Sequence, residues 1–301
     1  MRNLSVDIAG VILKNPVMTA SGTFGVSDEF AEFEDLEKLG GITTKGVAPI
    51  AWEGNPGPRV IESPSGMLNA IGLQNPGVEV FATRDLPALK GVDTVVMANV
   101  CGHSIDDYVK VVERLAEEDV VKLLEINISC PNDSGVTAFG TDPKEAAKVC
   151  AAVKKAARQP VIIKLTPNVT DITEIAKACE AAGADGLSLI NTPMGMVIDV
   201  HRRKFALANK TGGMSGPAIR PLAVRMVYQT VHAVKIPVIG MGGIMTGEDA
   251  LQFIMAGASA VSVGMANFND PAAAARIVDE IKAYMDKYDV EDINELRGIV
   301  D

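Results

Sequence analysis

One pattern constrains this chain more than any other. Short apolar, β-branched runs alternate with longer stretches of helical periodicity, eight times over from one end to the other. The runs predicted as strands are 15–20, 41–45, 94–100, 122–128, 160–165, 186–191, 236–240 and 260–263. A predicted helix follows each, beginning near Asp28, Pro76, Asp106, Pro143, Asp171, Ile219, Gly247 and Pro271. Several starts carry helix punctuation, as at Asp142-Pro143, Thr170-Asp171 and Asp270-Pro271, where a capping side chain precedes proline or an acid in the first turn. Eight such units in 301 residues, about 38 residues each, fit a closed parallel barrel of the (β/α)8 or TIM type, as one domain over 1–301. A doubly wound sheet would carry a GxGxxG turn after the first strand, but the chain there reads Thr19-Ala20-Ser21-Gly22-Thr23. Three insertions interrupt the pattern, near 46–75, 131–141 and 192–217. The first and last, with their loop composition, are expected to be structureless lids or binding loops.

Charge and composition narrow the partners. With 28 Lys+Arg against 38 Asp+Glu the net charge is −10, and no basic run occurs, which argues against nucleic acid. A hydrophobic fraction of 48% excludes a disordered chain. No apolar run approaches the roughly 20 residues that span a bilayer, and the first residues lack the pattern of a signal peptide, so a cytoplasmic protein off the membrane is expected. Cys101, Cys130, Cys150 and Cys179 form no CxxC pair, and the three histidines are scattered. Disulfide, zinc and iron–sulfur ligation within the chain are therefore not expected.

In such a barrel the reacting groups gather where the strands run out at their C-terminal ends. Those positions hold Ser21, Lys45, Asn99, Asn127 with Cys130 just beyond, Lys164, Asn191, the Gly242-Gly243 pair and Gly264. Asn and Ser often end strands for turn reasons alone. Two lysines and three asparagines at matching positions exceed that expectation. A lysine behind an apolar run holds an anion as a point charge, or forms a Schiff base once desolvated, and the residues leave both open. The glycine turns at 240–244 and 263–265 follow strands seven and eight, where barrels present backbone N–H groups to phosphate, so a mononucleotide or sugar phosphate fits better than a dinucleotide. Cys130 sits among polar neighbours on the loop after strand four, with Gly135 and Gly140 as hinges, as a nucleophile or proton acceptor. The other three cysteines read as small buried hydrophobes.

Taken together, these segments become recognisable. NPVMTASGTFG at 15–25, GMLNAIGLQNPG at 66–77, INISCPN at 126–132, KLTPNVTDI at 164–172, LINT at 189–192, GMGGI at 240–244 and GASAVSVG at 257–264 closely resemble the dihydroorotate dehydrogenases, essentially end to end. Among their classes the chain looks most like the catalytic subunit of class 1B, the NAD-linked form. It lacks the N-terminal extension and the catalytic serine of the membrane-bound class 2.

The resemblance implies an FMN-bearing barrel of pyrimidine biosynthesis that oxidises dihydroorotate to orotate. Cys130 matches the base that takes the C5 proton while the C6 hydride passes to the flavin. Lys45, Asn69, Ala70, Ile71, Gly72, Leu73, Asn127, Asn191 and Thr192 match substrate positions, with Asn132 as a further contact. Ser21, Lys45, Gly46, Asn99, Asn127, Lys164, Ile190, Gly216, Gly242, Gly243, Gly264 and Met265 match flavin positions. A thiol with an ordinary pKa near 8.5 is mostly protonated at pH 7, so flavin reduction is expected to quicken as pH rises through the Cys130 titration. Passing electrons to NAD in this class uses FAD and a [2Fe-2S] cluster. The resemblance therefore implies a homodimer core bound to two electron-transfer subunits, a heterotetramer. A class 1A homodimer that reduces fumarate, a Schiff-base aldolase-like barrel using Lys45 or Lys164, and a non-catalytic binding barrel are the alternatives.

Overall fold

The computed structural model describes residues 2–24, 35–129 and 139–300. Eight strands close into a parallel barrel: β1 (Val17–Thr19), β2 (Gly41–Thr43), β3 (Val95–Val100), β4 (Val121–Asn127), β5 (Val161–Lys164), β6 (Gly186–Leu189), β7 (Val238–Met241) and β8 (Ala260–Val263). They pair in chain order, and β8 returns to β1. All eight expected strands are present, each within three residues of its expected bounds. Near-continuous apolar strands such as Val161–Lys164 and Ala260–Val263 are buried on both faces, because helices cover the outside and side chains fill the inside.

The helices form where the sequence punctuates them. Ser104 and Asp107 make a reciprocal capping box at the start of Ile105–Leu115, whose Tyr108, Val111, Val112 and Leu115 recur at helical spacing and are buried. Thr246 and Asp249 repeat the device at Gly247–Met255. Asp142 caps Pro143–Ala156 through the N–H groups of Lys144 and Glu145, and Asp171 caps Ile172–Ala181. Arg220–Val231 follows β6 as expected. The helix expected near Pro76 starts at Val78, widens over Phe81–Asp85 and tightens over Leu86–Leu89. The last one is split, with a short Ala266–Asn269 preceding Ala273–Lys287. The helix expected near Asp28 lies outside the described residues. So do Cys130, Asn132 and Gly135.

Two features depart from the sequence-based expectation. Val6–Ile8 and Val11–Leu13 pair as a hairpin ahead of β1, turning through Ala9 and Gly10 with φ of 55° and 85°. More consequentially, the insertions after β2 and β6 are not structureless. Val60–Ser63, Gly66–Asn69, Thr211–Ser215 and Met194–Met196 pair antiparallel into a four-stranded sheet. The composition hid it because its strands are rich in glycine and serine, and their central pairing joins segments far apart in the chain.

The sheet's alternation decides which residues it offers to the barrel. Asn69 pairs with Gly213 and Val60, and Gly213 with Met194, while Met67 pairs with Ser215, placing all six on one face. Leu68 and Met214 take the other face and pack with Ala70 and Leu207 in a small separate core. The sheet is thus a roof with its own hydrophobic backing.

Candidate active site

A cavity of about 260 Å³ opens at the C-terminal ends of the barrel strands, beneath this sheet. Both insertions therefore serve the mouth. Of the residues singled out from sequence, Ser21, Lys45, Asn69, Ile71, Gly72, Leu73, Asn127, Lys164, Ile190, Asn191, Thr192, Gly216, Gly242, Gly243, Gly264 and Met265 all line it. Three do not. Ala70 is fully buried in the small core behind the roof, its N–H donating to Arg59 and its carbonyl accepting from Asn55. Gly46 passes beside Asn99, where a Cβ would lie 2.5 Å from Asn99 Oδ1. Asn99 itself sits below the cavity, in the barrel lumen.

The floor is polar. In-register pairing joins Asn99 to Glu125, Asn127 to Lys164 and Lys164 to Ser188, so these side chains share the inward face of β3 to β6. Glu125, with no exposure, accepts from Asn99 Nδ2 at 2.5 Å and Ser188 Oγ at 2.7 Å, and its Oε2 lies 3.3 Å from Lys164 Nζ. The first of these strands and the last are not neighbours, so their side chains meet only through the lumen. Lys45 and Lys164 are the only charged side chains lining the cavity among the described residues, which makes it cationic.

The wall is built of amides on fixed backbone. Asn127 Oδ1 accepts from Ser129 N at 3.2 Å and Asn191 Nδ2 at 3.3 Å, while Tyr108 Oη holds the Asn127 carbonyl at 2.9 Å. Ser129 Oγ donates to the Lys164 carbonyl at 2.7 Å, tying the end of β4 to β5 one residue before Cys130. Asn168 bridges the Thr192 carbonyl and the Met194 N–H, which fixes the start of the second insertion. The segment from Asn69 to Leu73 is held from behind. Asn55 donates twice to this segment, its Nδ2 to the Ala70 carbonyl and its backbone N–H to the Ile71 carbonyl, and buried Asn75 takes the N–H groups of Ala48 and Gly77 while donating to Leu73.

The glycine turns have a steric reason. Gly216, Gly242 and Gly243 have φ of 103°, 132° and 73°, and a Cβ on any of them would fall within 2.7 Å of a neighbouring atom. Arg220 braces this turn from outside by donating to the Gly243 carbonyl while pairing with Asp249 at 2.7 Å. The donor set suits a phosphorylated flavin: lysines for negative charge, amides for ring edges and tight glycine turns for a phosphate. Ser262 Oγ, on the cavity lining, and Asn99 Oδ1, beneath it, are buried without a hydrogen-bond partner among the described residues, which leaves polar capacity for a ligand. The residues present therefore fit FMN.

Sequence reasoning missed Glu125, Ser188 and the roof residues Met67, Met194 and Ser215. For Glu125 a signal was present: a lone acid inside the apolar run LLEIN. No group of three or more His, Cys, Asp or Glu side chains among the described residues is placed to hold a metal ion. No helix among them is long and apolar enough to cross a membrane.

Comparison with known proteins agrees with this geometry. The family model described as Dihydroorotate dehydrogenase matches residues 3–285. The catalytic subunit of dihydroorotate dehydrogenase B (NAD(+)) from Lachnoclostridium phytofermentans is 62% identical over 299 residues, covering 99% of each chain. The protein of the same name from Geobacter sulfurreducens is 54% identical over 300 residues, covering 99% of this chain and 98% of the relative. The crystal structure of the Eimeria tenella dihydroorotate dehydrogenase with ferulenol superposes with a TM-score of 0.82 at 23% identity, covering 99% of this chain and 88% of that one, a likeness of fold.

Proposed function

This chain belongs to the dihydroorotate dehydrogenase family, and on that premise we propose that it oxidises (S)-dihydroorotate to orotate in pyrimidine biosynthesis as an NAD-linked catalytic subunit. The observation that carries the reading is the cationic, amide-walled cavity at the strand ends, with both insertions folded over it. Bound FMN would supply the hydride acceptor. It would be held by Ser21, Lys45, Lys164 and the turns at Gly216, Gly242, Gly243, Gly264 and Met265, with Asn99 in the layer beneath.

The chain's own groups do the rest. Lys45, a point charge at the mouth, pairs with the substrate carboxylate. Asn69 and Asn191 each carry an amide donor and acceptor, and Asn127, whose Oδ1 already takes Ser129 and Asn191, adds its amide N–H groups; this suits a ring edge of alternating N–H and C=O groups, and Thr192 adds a hydroxyl. The roof covers the mouth from one side, and contacts shielded from water are stronger. Cys130 takes the C5 proton; the residue before it, Ser129, is anchored to β5. Lys164, a cation on the cavity lining, would stabilise negative charge that develops on a bound flavin and so favour its reduced state.

The barrel and its roof act as one FMN-binding unit over 1–301. Two copies form the core of a cytoplasmic heterotetramer with two electron-transfer subunits that carry FAD and a [2Fe-2S] cluster. The Schiff-base alternative finds no support at Lys164, which meets a carboxylate where that chemistry needs an amine in an apolar pocket. The test is an anaerobic visible spectrum of the purified protein before and after dihydroorotate. A yellow protein that bleaches is expected. A yellow protein that does not bleach removes the substrate assignment, and a colourless protein that takes up no FMN removes the flavin as well.

A further inference from the structure

The least expected group in the barrel is the carboxylate of Glu125. It is fully buried, it lies below the cavity lining, and the reaction as described makes no use of it. A buried carboxylate is costly unless its oxygens are satisfied, and here side chains from three strands converge on it. Ser188 on β6 donates to Oε1, while Asn99 on β3 and Lys164 on β5 reach Oε2. Of these, Lys164 lines the cavity and Asn99 lies in the layer beneath it, and both match flavin positions. Asn99 spends its amide N–H on Glu125, which leaves its Oδ1 as the unpartnered buried acceptor beneath the cavity. Lys164 is buried to 5% exposure, and Glu125 is the carboxylate it pairs with. One acidic group thus holds both the cavity's Lys164 and the amide of the layer beneath it.

We infer that Glu125 is a positioning residue for the flavin site, and that its fixed negative charge behind Lys164 holds the reduction potential of the bound flavin low. Two-electron reduction adds negative charge to the ring. Lys164 favours that state and Glu125, one contact further away, opposes it. The balance has a purpose where electrons must pass on to NAD, a weak oxidant. A flavin that saw two unbalanced lysines would keep its electrons. The inference rests on FMN occupying this cavity and on the NAD-linked reading.

The test is the midpoint potential of FMN bound to the holoenzyme, measured by equilibration with a reference dye, together with FMN affinity. In Glu125→Gln the side chain keeps its shape and an acceptor for Ser188 or Lys164 but loses its charge. The ratio of reduced to oxidised flavin at a fixed dye potential is expected to rise about tenfold or more. Electron delivery to NAD should fall relative to delivery to a strong artificial acceptor. A wild-type potential in a folded, FMN-loaded Glu125→Gln protein overturns the inference, since a merely structural role would not raise the potential. Glu125→Asp covers the case in which the glutamine variant does not fold. It keeps the charge but draws it back from Lys164, so FMN should loosen several-fold and the potential should rise by less than for Gln. Wild-type affinity and potential in Glu125→Asp would equally overturn it. Because the dye titration needs no dihydroorotate, failure of the substrate assignment shows separately, as a wild-type protein that titrates normally but is not bleached by dihydroorotate.

Discussion

Gly242→Ala tests whether the turn after β7 is shaped for a ligand or is merely a tight corner. Gly242 sits at φ 132°, a region that L side chains rarely occupy, and a Cβ there would lie 2.7 Å from Ala223 Cβ and 3.5 Å from Ile190 Cγ1 and Ile219 Cδ1. The backbone strain costs about 1–3 kcal/mol. Forcing a methyl against a packed helix costs about another 1–3 kcal/mol. Together they amount to about 2–6 kcal/mol. With an unfolding entropy of about 2.1 cal/mol/K per residue, a chain of 301 residues loses roughly 1.6 °C of Tm per kcal/mol, so a fall of about 3–10 °C is expected. The two contributions separate in a double mutant. Ala223→Gly removes the opposing methyl and alone costs about 1 kcal/mol as a glycine in a helix interior, so in Gly242→Ala/Ala223→Gly only the steric part should be recovered, as a favourable coupling of about 1–3 kcal/mol. Gly91→Ala is the control: its φ is 87° and a Cβ would meet nothing within 4 Å, so it carries backbone strain alone, away from the cavity. If the turn presents N–H groups to the FMN phosphate, displacing one should weaken FMN by about 10–150-fold in Gly242→Ala and leave it unchanged in Gly91→Ala. Thermal unfolding and fluorescence of released FMN read both effects. A Gly242→Ala protein with wild-type Tm and flavin content would refute the steric reading and the phosphate assignment together.

Two further predictions use the cysteines and the helix caps. Burial pushes the Cys150 thiol up to about 11 and drives Cys179 up as well, and Cys101 is also buried. Iodoacetamide at pH 8 should therefore leave these three unmodified in the native protein, and peptide mass spectrometry should find adducts only at Cys130, suppressed by orotate. Labelling of Cys150 before Cys130 would refute this. The Asp171 carboxyl is held below the usual carboxylate range by the Thr173 hydroxyl and N–H, so its contribution to stability is complete above the unfolded value, near pH 4, and is lost as pH falls through the depressed one. Asp171→Asn keeps a capping acceptor. It should match the wild type in Tm at pH 7 and fall less steeply between pH 4 and pH 2. A parallel acid limb for the two proteins would show that this cap carries no such linkage.

How much of this was legible in the sequence follows from where the information sits. The barrel strands are legible because each, like Val161–Lys164 or Ala260–Val263, is buried on both faces and must be apolar along its length. Their polar terminators, Lys164, Asn127 and the Gly242-Gly243 pair, stand out against that background, so the mouth could be located before any contact was seen. The roof sheet lacks such contrast. Its strand Thr211–Ser215 reads TGGMS, and Gly213 is required only because Thr192 Oγ1 would lie 2.0 Å from a Cβ there. That requirement belongs to a contact across the insertion, not to any local preference, and no window of sequence contains both halves of the central Gly213–Asn69 pairing.

Glu125 is intermediate between these cases. Its residue type was anomalous in an apolar strand, but the meaning of the anomaly lay in Asn99, Ser188 and Lys164, whose common inward face follows only once the register of four strands is known. The same register explains why strand ends alone misplace Asn99. It stands one residue before the end of β3, level with Glu125 rather than with the cavity-lining Asn127 two residues further along β4, and so belongs to the layer beneath the lining. A barrel mouth is therefore read in layers: the residues that touch the ligand mark the strand ends, and those that orient them lie about two residues back along the same or the neighbouring strand, where periodicity would otherwise call for an aliphatic side chain. In this chain that second layer carries the charge that balances the first.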